Sequence, residues 1–194
     1  MNKKAFAEII ESSIVTWTAQ TWTWDVFPAF GSLLTVEQGE RTLIGLVYAI
    51  KTGSSDPSRI PYIYQKTEEE LKREQPHVFS FLMTTFSCFS LGFKQNNTIF
   101  YTVPPEPPKI HGFVYPINPD VAHHFLKNPL YLHLLFNQCP EQGIRDELIL
   151  ALIRALDSQK TDFHPTVTGI MRTYLLLTGN DYRRLRLFLQ RMGG

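Results

Sequence analysis

At 194 residues, with 43% hydrophobic, 19% charged and 13% aromatic residues, the chain has the composition of a folded globular protein and not of a disordered one. Nineteen basic residues against eighteen acidic ones leave a net charge of +1, too small for the broad electrostatic footprint of a dedicated nucleic-acid binder. The two cysteines, Cys88 and Cys139, lie far apart and give neither a disulfide framework nor a zinc spacing.

The length suits one domain, or one domain with a helical appendage. Glu8 and Glu11 interrupt any apolar run behind Lys3 and Lys4, so no signal peptide is expected. No stretch approaches the roughly 18 apolar residues of a membrane span. A soluble, cytoplasmic protein with reduced, buried thiols is the expectation.

In chain order, Phe6 to Trp24 is rich in β-branched and aromatic residues, which favour a pleated, half-buried surface. Trp17 shares strand parity with Val15 and Ala19, whereas Trp22 and Trp24 have the parity of Ile14. Burying all three tryptophans calls for a bulge near Gln20; otherwise they face opposite sides. Pro28 and Gly31 break the run. The apolar runs Leu33 to Val36 and Thr42 to Ile50, with Gly39 in a polar turn between them, then read as a β-hairpin. The second run, TLIGLVYAI, is apolar on both parities and requires cover on both faces. Gly45 within it marks a bend or a close approach of backbone.

Lys51 to Tyr64 reads as a long loop, a class often functional or mobile. Arg59, Tyr62 and Tyr64 are its groups able to grip a partner, by bidentate hydrogen bonding and flat amphipathic area. The competing reading pairs Arg59 with Asp56 and packs the tyrosines on the barrel. Thr67 and Glu70 form a capping box that starts a helix, and the Glu68 to Glu70 run suits its dipole without invoking a metal. Pro76 ends that helix and opens a short helical turn.

Met83 to Gln95 and Thr98 to Val103 flank Asn96 and Asn97 as a second hairpin. The proline-rich Pro104 to Lys109 is a stiff connector, and Ile110 to Tyr115 a last strand. After Pro116 the pattern becomes helical. Asn118 and Pro119 start one helix, a short one runs near Leu130 to Phe136, and Gln142 to Leu156 is amphipathic. Pro165 to Leu177 is another helix, stopped by Gly179. Asn180 caps a last helix with Leu185, Phe188, Leu189 and Met192 as its apolar stripe. The fold class expected is α+β. A small N-terminal β-barrel occupies residues 1–116, with a helical insertion at about 67–82, and a helical bundle occupies 117–194.

Catalytic motifs are missing. There is no HExxH or CxxC, no GxSxG and no GxxxxGK[ST]. His123, His124 and His133 form the one histidine cluster, but the first two are adjacent and point to different sides of a helix. No catalytic residue, metal or cofactor is expected. Arg183, Arg184, Arg186 and Arg191 on the last helix are the best charged contact, and could serve phosphate binding or form a solvated face.

The pattern EIIESSIVTWTAQ followed by FPAFGSLLTVEQGERTLIGLVYAI resembles the HAS-barrel domain, named for HerA-type helicases and ATP synthase head subunits. The matching features are Ser12 to Thr16, Pro28 with Gly31 to Val36, and Gly45 with Val47. The resemblance implies a small barrel and an assembly role, since in ring ATPases such barrels pack against one another. It does not imply ATP hydrolysis, because the helices that follow lack a phosphate-binding loop. The expected function is a non-enzymatic protein-interaction or assembly factor. Its partner would be an ATPase ring or another barrel-bearing subunit. The alternative is nucleic-acid association through the basic last helix, salt-dependent and weakened when Arg183, Arg184 and Arg186 become alanine.

Overall fold

The computed structural model describes residues 4–56, 58, 61–139, 141–157 and 163–192. Two strands arise from the first β-rich stretch, β1 (Ala7–Ser12) and β2 (Thr16–Thr21). The single long run suggested by composition is thus cut by a tight turn. Ser13 makes that turn: its Oγ donates to the Thr16 carbonyl at 2.8 Å and accepts from the Thr16 N–H at 3.0 Å.

The expected hairpin is present as β3 (Leu33–Gln38) and β4 (Arg41–Ser54), with Gly39 at φ +60° in its turn. β4 runs on through Lys51 to Ser54, because β5 (Leu82–Gln95) pairs with it along its whole length. The loop expected from Lys51 therefore begins only at Ser55. Between these strands lie α1 (Glu68–Glu74), carrying the Thr67–Glu70 capping box, and a 3-10 helix over Pro76–Phe81. Asn96 and Asn97, both at positive φ, turn β5 into the short β6 (Thr98–Phe100). β7 (Phe113–Pro116) follows the proline-rich connector.

Six of these strands close into an antiparallel barrel in the order β1–β2–β5–β4–β3–β7 and back to β1, with β6 attached outside the ring on β5. Its bulges fall at Ile10 in β1, Tyr48 in β4 and Leu91 in β5, where the register skips one residue. In β2 itself no extra residue is inserted near Gln20, since it pairs regularly with β5 from Thr16 to Gln20; the bulge there belongs to β1, where Ile10 lies opposite Thr18 and Ala19.

Inside the ring, every closing strand contributes to one apolar cluster that includes Ile9, Trp17, Val36, Val47, Phe86 and Val114. Trp17 is 2% exposed. Trp22 and Trp24 lie beyond the end of β2 and do not enter the barrel. Trp22 is half exposed and meets Phe113 edge-on, and Trp24 stacks on Phe79.

After the barrel come α2 (Pro119–Leu126), α3 (Tyr131–Gln138), α4 (Gln142–Asp157), α5 (Phe163–Leu177) and α6 (Tyr182–Met192). The Asn118 side chain accepts from the Asp120 N–H and starts α2. The other parity of β4, Ile44 and Leu46, joins Phe89 and Leu91 of β5 in a second apolar cluster with Phe125, Tyr131, Leu148 and Tyr174. The two-sided strand is thus covered by barrel interior on one face and by helices on the other. The side chain of Gln138 in α3 donates to the Ser90 carbonyl of β5 at 2.9 Å, tying the two layers together.

At the far end Gly179 and Asn180 both adopt positive φ and terminate α5, the Asn180 N–H donating to the Leu175 carbonyl. The cap of α6 is consequently Asp181, whose carboxylate accepts from the Arg184 N–H at 3.0 Å, and not Asn180. Phe188 is buried, and Leu185 and Met192 pack beside it. Leu189, expected in the same stripe, is 45% exposed.

Candidate functional site

Arg59 lies outside the described residues. Tyr62 and Tyr64 are brought together, their rings edge to face at 5.6 Å. Tyr62 is 77% exposed and Ile63 80% exposed. The pair borders a depression of about 350 Å³ whose other walls include Pro61, His77 and Phe81. On the C-terminal side the segment is anchored by the Thr67–Glu70 capping box, in which the Thr67 N–H donates to the Glu70 carboxylate at 2.8 Å. That hydrogen bond also holds the Glu70 carboxyl below its ordinary pKa.

The four arginines of α6 divide. Arg184 turns inward and donates to the Asp146 carboxylate of α4 at 2.7 Å, both side chains being largely buried. Its guanidinium also lies 5.2 Å from the Tyr174 ring centre. The Tyr174 hydroxyl donates to the same carboxylate at 3.2 Å. Burial and the Asp146 charge push Tyr174 up to about 12, opposed by Arg184. Arg191 pairs with Glu147, while Arg183 and Arg186 are exposed. Sequence spacing alone could not separate the structural arginine from the exposed ones, since the separation depends on where Asp146 sits on another helix.

A second recess, larger than the depression beside Tyr62, carries no motif in the sequence. It is a cleft of about 490 Å³ at the junction of barrel and helices. Phe27 and Pro28 from the β2–β3 connection, Leu34 of β3, Leu126 of α2 and Leu156 of α4 are among its walls. Gly31 seats the connection against α4. At φ +76°, a Cβ there would stand 2.3 Å from the Cβ of Ala151. Only a residue without a side chain lets the two segments approach so closely. Val26 and Phe27 remain 55% and 50% exposed at the rim. Among the described residues the one charge in the lining is Lys4, and no described carboxylate lines it. The local signal is the aromatic-rich stretch from Trp22 to Phe30, in which Pro28 marks only the break of a β-prone run.

No family model matches the chain, and no curated protein matches it. Cys88 and Cys139 are free and buried, and burial pushes both thiols above their usual range. His124 borders a small depression with Asp120 and Lys94, while His133 is exposed on α3. Among the described residues no three His, Cys, Asp or Glu side chains are grouped to hold a metal ion. No described helix is long and apolar enough to cross a membrane.

Proposed function

We propose that this chain is a non-enzymatic protein-interaction or assembly factor, a HAS-like barrel carrying a C-terminal helical bundle, whose partner is an ATPase ring or another barrel-bearing subunit. The observation that carries the reading is the exposure of Tyr62 and Ile63 beside a shallow depression lined by further apolar and aromatic groups. Flat amphipathic rings of this kind contribute large contact area at low conformational-entropy cost, and such residues dominate interface energetics. The closed ring supports the same reading, because it presents the segment from a rigid frame whose strand edges are almost all paired.

A photo-crosslinking amino acid placed at Ile63 in the intact chain, expressed in cells, tests the proposal. One or a few discrete crosslinked proteins are expected, and Tyr62→Ala should diminish them. Absence of discrete products at Ile63, together with an unchanged co-purification profile for Tyr62→Ala, would overturn it.

A further inference from the structure

We infer that the cleft beneath Phe27 is a binding site for a single aliphatic carboxylate, a medium-chain fatty acid whose chain lies among Leu34, Leu126 and Leu156 and whose carboxylate meets Lys4. Three features of the cleft lead there. Its volume, about 490 Å³, is within the range of sites that enclose small molecules, and its walls are apolar apart from the Ser32 hydroxyl and Lys4. The Ser32 hydroxyl is already committed to the Ala29 carbonyl.

Charge selects the ligand's head group. Lys4 is exposed and, among the described residues, has no ion-pair partner and is the sole charge of the lining. A carboxylate would therefore meet a cation with no described carboxylate to repel it, whereas a cationic head group would meet the like charge of Lys4. Two residues on, the backbone is held in place: the Phe6 N–H donates to the Val114 carbonyl and the Phe6 carbonyl accepts from the Trp22 N–H. The cation thus sits two residues before an anchored point of the chain.

The apolar walls are preformed. Leu126 and Leu156 are 4% and 3% exposed and belong to the core between barrel and helices, and Gly31 fixes the remaining wall against α4. A ligand entering pays little to order them, and it covers the half-exposed Val26 and Phe27 at the rim.

The test is calorimetric titration of the full chain with dodecanoate below its micelle concentration, with dodecyltrimethylammonium as the charge-reversed comparator. One dodecanoate per chain is expected, with clearly weaker binding of the cationic detergent. Lys4→Gln should weaken dodecanoate about fivefold, the scale of one exposed ion pair. Ala155→Trp, at an exposed lining position, should abolish binding while the urea midpoint stays unchanged. Tyr62→Ala should bind as the parent does, which separates this site from the surface proposed above. Equal affinity for the two detergents, no dodecanoate binding, or undiminished binding by a folded Ala155→Trp would each overturn the inference. So would a dimer, detected by sedimentation and broken by Ala155→Trp, with no dodecanoate uptake, since a second copy would then be the occupant.

Discussion

The indole of Trp17 occupies the space that a side chain at Gly45 would need: a Cβ built there would stand 2.4 Å from Cζ2 of the ring. Strands β2 and β4 flank β5 in the ring, so this contact reaches over β5 on the barrel's inner face, beside Cys88. Gly45→Ala should destabilise the protein by about 2 kcal/mol through overpacking. Trp17→Phe in the same chain removes the atom in the way, so the double variant should recover part of the loss. Urea midpoints of the parent, both single variants and the double variant measure this, and strict additivity would contradict it.

Arg184 and Arg191 should differ sharply on removal of their partners. Asp146→Ala strands a largely buried guanidinium and is expected to cost about 3 kcal/mol. Glu147→Ala removes a half-exposed partner and should cost under about 1 kcal/mol. Chemical denaturation of the two variants provides the comparison. The nucleic-acid alternative is accordingly tested with Arg183→Ala and Arg186→Ala, which leave the Asp146 pair intact.

Alkaline pH should weaken the fold in a defined window. An unfolded tyrosine ionises near its ordinary value of about 10, while folded Tyr174 keeps its proton until about 12. Between those values the unfolded chain binds fewer protons than the folded one, so stability falls as pH rises and is fully present below the window. Tyr174→Phe should show a shallower decline of the urea midpoint across the same interval, and an identical slope would exclude Tyr174 as a contributor.

Thr67→Ala should act locally. The capping box contributes about 1 kcal/mol to helix α1, but no residue of that helix is buried. Faster amide exchange over Glu68–Glu74 is expected, with the global urea midpoint unchanged. A lowered midpoint would mean that α1 unfolds together with the barrel.

Much of the architecture was legible because local chemistry specified it. Gly39 between two apolar runs, the Thr67–Glu70 pair and the Asn118–Pro119 start each name one conformation, and each is found. The two-parity pattern of β4 likewise foretold two covered faces. Failures came where a partner elsewhere decides. The turn at Ser13 uses a side-chain hydrogen bond within a β-prone run, and the extension of β4 to Ser54 depends on β5. Capping by Asp181 follows from the positive φ at Asn180. The cleft is assembled from Lys4, Phe27, Ile117, Leu126 and Leu156, whose sequence separations conceal it.

The four-residue strand β7 sits between β1 and β3 and is the only link between them in the ring. In chain order β1, β2, β3, β4 and β5 all precede it, and the free edges of β1 and β3 find their partners only in residues 111–116. A nascent chain arrested before that point would carry two free hydrogen-bonding rows, the condition that invites edge-to-edge aggregation. The barrel is therefore completed by its last strand as by a zip, and the vulnerable interval in its biogenesis spans the proline-rich connector that delivers it.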